Sequence, residues 1–101
     1  MVTLLRAGRE KGYFMTDSST LVVGKNKIKN LKVLFRGDPF LINVYHDLCQ
    51  PDGATPGQPY ALEFLKFLTS EKGQSIIRNY GKDKYGEPFY HDTGYAKQYE
   101  Y

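Results

Sequence analysis

Side-chain hydroxyls are concentrated in residues 16–20, which also contain Asp17 and precede the apolar run 21–23. Neutral donors at a helix start, both hydroxyls and backbone N–H groups, can hold a tetrahedral dianion. A phenolic donor, Tyr13, lies shortly before this segment. The candidate ligand-binding residues are therefore Tyr13, Thr16, Ser18, Ser19 and Thr20.

The same residue types predict ordinary helix capping, and Asp17 favours that second interpretation. A capping carboxylate would occupy the positive end of the helix and would repel an anion. For Tyr13, the favoured interpretation is a core or surface tyrosine, and a hydrogen bond donated across a cleft is the alternative. Ligand contact and capping both stay open at this point.

Basic side chains recur between residues 25 and 36, and they could steer an anion over a long range. The alternative is a solvated charge run that protects a strand edge. The net charge of +3 is too small to argue for nucleic-acid binding, which also favours aromatic side chains on the basic face. The basic set is Lys25, Lys27, Lys29, Lys32 and Arg36.

His46 and Cys49 are the residues that suggest a metal site or Cys–His catalysis. Three residues apart on an extended segment, their side chains point in opposite directions. His91 is the one other histidine, which leaves too few ligands for a structural zinc site. Glycine-rich phosphate loops and serine nucleophile elbows are absent from the sequence. We predict that the chain is not an enzyme and uses no cofactor or metal.

The composition is that of a globular protein, with 41% hydrophobic and 15% aromatic residues among 101. This length fits one domain or a piece of one. A single cysteine excludes an internal disulfide and leaves the compartment open. The amino terminus carries no signal peptide pattern, and no apolar run approaches the roughly eighteen residues of a membrane span.

Hydrophobic spacing predicts helices over residues 2–11 and about 18–23, and a helix pair within 60–80. Strands are predicted at 13–15, 31–35 and 40–45, where apolar, β-branched and aromatic residues cluster. We interpret the apolar faces of the helix pair as core packing. These faces comprise Ala61, Phe64, Leu65 and Leu68 on the first helix, and Ile76, Ile77 and Tyr80 on the second, which Gly81 ends.

This order of elements predicts an α/β domain. By themselves, the two longer strands, 31–35 and 40–45, make a poor sheet, so they are better placed in a larger sheet supplied by other residues. We therefore interpret residues 1–101 as a single incomplete α/β segment.

Five short motifs follow one another along residues 10–88. They are Tyr-x-x-Thr-Asp in 10–17, Gly-Asp-Pro at 37–39, Asn-Val-Tyr at 43–45, Phe-x-x-x-Leu-x-Ser-x-x-Gly-Gln at 64–74, and Gly-Lys-x-x-Tyr-Gly-x-Pro at 81–88. No single motif is very specific, but five in this order are. The order resembles the last part of the tungstate-binding proteins, which are solute-binding components of ABC transporters.

The resemblance implies a partial type II periplasmic-binding-protein fold: the end of the second lobe, a hinge strand, and carboxy-terminal helices packing on the first lobe. It implies a full-length protein, periplasmic or extracellular, that traps tungstate or molybdate and passes it to an ABC permease. The resemblance places most oxyanion contacts in the missing amino-terminal lobe and in a missing arginine-bearing segment of the second lobe, so the chain alone would bind poorly or not at all. Two departures are Ser18, where the family usually has arginine, and His46-Asp47, where apolar residues are usual.

Other functions stay open. The same fold could form the ligand-sensing domain of a cytosolic transcription regulator, which agrees with the lack of a signal peptide. A small autonomous binding module, or a basic protein that binds nucleic acid, is a third hypothesis, which we do not favour. As protein partners we expect the missing lobe or a second copy, the latter as a swapped homodimer.

Overall fold

The computed structural model describes residues 1–99, and this part of the chain contains helices but no β-strand. Helices account for 55% of the chain. The α-helices are α1 (Val2–Glu10), α2 (Ser18–Gly24), α3 (Gln58–Thr69), α4 (Glu71–Asn79), α5 (Lys82–Tyr85) and α6 (Thr93–Ala96). Short 3₁₀ helices cover Lys25–Lys27, Pro39–Leu41 and Lys97–Tyr99. The four predicted helices are confirmed as α1 to α4, with ends that differ from the prediction by about two residues.

The predicted α/β fold is wrong, and the partial type II periplasmic-binding-protein fold is corrected with it. Residues 13–15 and 31–35 are irregular, and the predicted strand 40–45 begins inside the 3₁₀ helix Pro39–Leu41. A strand needs a second segment to satisfy its backbone, and residues 1–99 supply none. In residues 38–42 the backbone uses local bonds instead. For example, the Asp38 carboxylate accepts a 2.8 Å hydrogen bond from the Phe40 backbone N–H.

The described chain divides into two compact units. The first comprises Met1–Gly37 with Asn79–Tyr90, and the second comprises Asp38–Arg78 with the tail from His91. Within residues 1–99, no helix combines the length and apolar character needed to cross a membrane.

The first unit holds a small apolar core where α1 and α2 meet. Leu4, Val22 and Ile28 are its buried hydrophobic side chains. A Cβ atom added at Gly24 would lie 3.1 Å from Leu4 Cδ2, so the two helices approach closely there. Helix α1 ends with Lys11 in the left-handed conformation, at φ 57°. The core is therefore built by local elements alone.

The segment 80–90 of the same unit closes on itself through an aromatic cluster. Gly81 and Gly86 flank α5 with φ values of 85° and 80°, a region that favours glycine. The Phe89 backbone N–H donates to the Tyr80 carbonyl at 3.0 Å. The Phe89 ring lies 5.7 Å from that of Tyr80 and 5.1 Å from that of Tyr85. The positive φ angles thus explain why the motif Gly-Lys-x-x-Tyr-Gly-x-Pro has glycine at both positions.

In the second unit, α3 and α4 join at a tight corner formed by Ser70, Gly73 and Gln74. The Ser70 hydroxyl accepts from the Gly73 backbone N–H at 3.2 Å and caps α4. Gln74 Nε2 donates to the Leu68 carbonyl at 2.6 Å. A Cβ atom at Gly73 would lie 2.2 Å from the Phe67 carbonyl oxygen. All three polar or small residues of the Ser-x-x-Gly-Gln motif are needed for this corner.

The apolar faces of α3 and α4 are not packed into a core, contrary to our interpretation of the helix pair. Phe64 is 60% exposed and Ile76 is 53% exposed. On these two helices, the buried residues are Gln58, Gly73 and Gln74. The amphipathic pattern predicted the helices correctly. Within residues 1–99, however, their apolar side is only partly covered. Phe64 and Ile76 stay exposed, while the half-buried residues are Leu65, Leu68 and Ile77.

The corner generates a stability prediction. We expect Gly73→Ala to destabilise the helix pair by roughly 1–3 kcal/mol, because the new methyl group overlaps two backbone carbonyls of α3. Gly57→Ala is the matched control, since Gly57 has φ −85° and open space around its Cα. The control should change stability by no more than about 0.5 kcal/mol. Urea unfolding followed by circular dichroism measures both, and equal effects would contradict the corner geometry.

Candidate functional site

The hydroxyl-rich segment 16–20 forms the cap of α2. Asp17 is the N-cap residue, and its carboxylate accepts from the Thr20 backbone N–H at 3.2 Å. The Ser19 hydroxyl donates to the same carboxylate at 2.7 Å, and the Thr16 hydroxyl donates at 3.4 Å. Three of the five candidate residues therefore direct donors at Asp17.

The electrostatics of this segment follow from that arrangement. Hydrogen bonds, chiefly from the Thr20 side chain and the Ser19 hydroxyl and further from the Thr20 backbone and Thr16, lower the pKa of Asp17, while burial acts in the opposite direction. Asp17 is therefore ionised at neutral pH and provides a negative charge at the start of α2. A second anion at the same place would meet both repulsion and occupied donors.

Ser18 and Tyr13 differ from the other three candidates. Within residues 1–99, neither side chain makes a hydrogen bond. Tyr13 is 93% exposed, and Ser18 is exposed as well. These two donors are available to a ligand, whereas Thr16, Ser19 and Thr20 are engaged with Asp17.

Positive charge is concentrated in the same unit. Residues 1–37 contain eight lysines and arginines against two acidic residues, so this stretch carries +6 while the whole chain carries +3. The five members of the predicted basic set are all exposed. In the part of the chain that the structure describes, none of them forms an ion pair; the pair in this stretch joins Arg6 to Glu10 at 2.9 Å. The stretch therefore presents an open positive field suited to attracting anions.

A second polar cluster, which the sequence reasoning missed, ties the tail to α4. Arg78 donates to the Asp92 carboxylate at 2.9 Å and also to the Glu71 carboxylate. The Thr93 backbone N–H donates to Gln74 Oε1 at 2.8 Å. Glu71, Gln74 and Arg78 lie on one face of α4, which is the signal that could have found the cluster.

Asp92 is also the N-cap of α6, accepting from the Tyr95 backbone N–H at 3.0 Å. This bond, followed by the one from Arg78, lowers the pKa of Asp92. The same contact with Asp92, together with that to Glu71, raises the pKa of Arg78. The cluster joins α4 to α6 through ion pairs and hydrogen bonds. All of its charged groups have partners, so we interpret its role as structural.

Cys49, His46 and His91, the residues considered for a metal site or for catalysis, do not form a common site. Cys49 is a free, partly buried thiol, and His46 lies in an irregular segment. The His91 ring stacks on Tyr95 with centroids 4.0 Å apart. Across residues 1–99, no three potential ligands among histidine, cysteine, aspartate and glutamate converge on a metal position.

Comparison with known proteins yields no family model, no curated protein and no solved structure that matches this chain.

The cap generates a prediction about α2. Asp17→Ala should weaken this helix by about 1 kcal/mol, because the Thr20 N–H loses its acceptor. Asp17→Asn keeps an acceptor and should cost less. Since the folded-state pKa of Asp17 is lowered, its contribution is present above the unfolded pKa of about 3.9 and is lost as the pH falls through the folded value. Amide hydrogen exchange at Thr20 and Leu21 measures these effects; unchanged protection in Asp17→Ala would contradict the cap.

The second cluster generates another prediction. Arg78→Gln should release the tail from α4, because the charged donor to both Asp92 and Glu71 is lost. Faster exchange of the Tyr95 amide and faster proteolysis after residue 90 are the expected results. Arg6→Gln is the matched control, since Arg6 joins an exposed pair within a single helix. A tail equally protected in both variants would show that Arg78 does not hold it.

Proposed function

We propose that this chain is the carboxy-terminal portion of a solute-binding protein that delivers an oxyanion, tungstate or molybdate, to an ABC permease. The site of action would be the periplasm or the cell exterior. The chain would act as a binding component without catalysis.

The observation that carries the proposal is the ordered set of motifs, two of which now have a physical explanation. The Ser-x-x-Gly-Gln motif forms the α3–α4 corner through Ser70, Gly73 and Gln74. The closing motif places Gly81 and Gly86 at positive φ on either side of α5. Motif residues with specific structural roles support the resemblance more strongly than a match of letters does.

The charge distribution supports an anionic ligand. Residues 1–37 carry +6, which raises the local concentration of anions, while neutral donors can make the close contacts. Ser18 and Tyr13 are the available neutral donors in this region. We propose these two as ligand contacts, and we assign Thr16, Ser19 and Thr20 to the Asp17 cap.

Calorimetric titration with tungstate, molybdate and sulfate tests the proposal. The protein should be the product of the complete reading frame that contains these residues, with the 101-residue chain measured beside it. Tungstate and molybdate should bind the complete product, sulfate should not compete, and the chain alone should bind weakly. Failure of the complete product to bind any of the three oxyanions would refute the transport assignment.

Substitutions in the complete product test the two contacts. Tyr13→Phe and Ser18→Ala should each weaken tungstate binding by about tenfold, the effect of one lost hydrogen bond. Tyr60→Phe is the matched control, because Tyr60 is 79% exposed and lies on α3. Equal affinities for all three variants would remove Tyr13 and Ser18 from the site and leave the oxyanion assignment to be judged by the titration itself.

A further inference from the structure

We infer that residues 31–35 form an interaction surface for a second copy of this chain, pairing as antiparallel β-strands centred on Val33. This inference does not depend on the transport assignment, because it follows from the backbone, exposure and charge of one segment of the first unit.

The backbone of this segment has no partners. Within residues 1–99, no backbone N–H or C=O of residues 31–37 takes part in a hydrogen bond. The segment is neither helix nor turn. Such a row of free donors and acceptors is a template for pairing with another chain. Residues 31–37 therefore offer an unpaired backbone row that begins at Leu31, next to the packed core of the first unit.

The side chains of the segment are apolar and open to solvent. Val33, Leu34 and Phe35 are 49%, 65% and 69% exposed. Leu31 lies against α1, where a Cβ atom at Gly8 would be 3.6 Å from Leu31 Cδ1. The amino-terminal end of the segment is therefore anchored to the core, while the next residues expose an apolar surface to solvent. β-branched and aromatic side chains of this kind favour strand pairing.

The sequence of the segment is self-complementary in one register. In a strand, Leu31, Val33 and Phe35 share a face. An antiparallel pair centred on Val33 sets Val33 opposite Val33 and Leu31 opposite Phe35, so this face is apolar in both copies. On the other face Lys32 lies opposite Leu34, and Arg36 lies opposite Asn30. No like charges face each other.

The charges disfavour the competing arrangements. A parallel, in-register pair would set Lys32 opposite Lys32 and Arg36 opposite Arg36, which is destabilising. A shift of the antiparallel register by one residue would set Val33 opposite Leu34 and mix the apolar face with the charged one. The charge pattern therefore favours the antiparallel pair centred on Val33 over the parallel pair and over the register shifted by one residue.

A matched pair of glutamate substitutions tests this register. Val33→Glu sets two carboxylates against each other at the two-fold axis and should weaken the dimer at least about tenfold. Leu34→Glu sets each carboxylate opposite a lysine of the other copy and should tighten the dimer about twofold to tenfold. Both variants lose one exposed aliphatic side chain and gain one charge, so each controls for the other.

Sedimentation equilibrium of the 101-residue chain, from about 1 μM to about 500 μM, measures the association. Circular dichroism confirms that both variants keep the wild-type helix content. Opposite effects of the two substitutions support the inference. A wild-type chain that stays monomeric over the whole range would overturn it, and so would equal effects of the two substitutions.

Cross-linking supplies a second test that holds even where a glutamate variant fails to fold. In a Cys49→Ser background, Val33→Cys places two thiols opposite each other at the axis, within reach of a disulfide. Leu34→Cys places the thiols diagonally, farther apart. Oxidised dimer should form faster with Val33→Cys; equal rates would contradict the register.

Discussion

Backbone N–H and C=O groups that leave water need hydrogen-bond partners, and in this chain the partners are almost all local. A helix finds them within four residues, whereas a strand finds them only on a second segment. Helices α1 to α4 formed where the sequence pattern predicted them, because each helix satisfies its backbone hydrogen bonds within itself. Residues 31–37 have the composition of a strand, yet they keep an unpaired backbone. The same constraint thus explains both the helical content and the exposed irregular segments.

Helix ends extend the constraint from the backbone to the candidate site. Asp17, Ser70 and Asp92 each supply an oxygen to a backbone N–H at the start of a helix. An oxyanion and a capping side chain compete for the same donors. At the start of α2 the Asp17 carboxylate accepts the backbone hydrogen bond, and the Ser19 and Thr16 hydroxyls also donate to it. Ligand contact in this region is consequently limited to donors that point elsewhere, which is why Ser18 and Tyr13 are the residues we assign to it.

Helices α1 to α4 and the Asp17 cap could be predicted from the sequence because their signals lie within one or two turns. Helix α5 was not predicted, and neither were α6 and the Asp92 cap, since the sequence after Pro88 shows no clear period. The positive φ of Gly81 agrees with its predicted role at a helix end. Residue types alone could not show whether 31–35 and 40–45 form strands. They indicate a preference for the strand conformation, but not whether a second segment is present to pair with. The contact between Arg78 and Asp92 spans fourteen positions. The shared face of Glu71, Gln74 and Arg78 indicates a polar cluster on α4, but it does not identify Asp92 as the partner. For the candidate site, Asp17 indicated helix capping from the sequence alone. The hydrogen bonds that Ser19 and Thr16 donate to Asp17 could not be predicted in this way and are seen in the structure.

The exposure of apolar side chains links stability to association. In the first unit, the buried hydrophobic side chains are Leu4, Val22 and Ile28, while Phe35 stays 69% exposed. In the second unit, Phe64 and Ile76 stay more than half exposed along α3 and α4. Burial of apolar surface is the main favourable contribution to folding, and here much of that contribution is still unused. Any partner that covers these faces binds the folded state and not the unfolded one, so it raises stability by mass action. Local sequence therefore determines where the helices form. Their stability still depends on whether another molecule covers the apolar faces that the chain exposes.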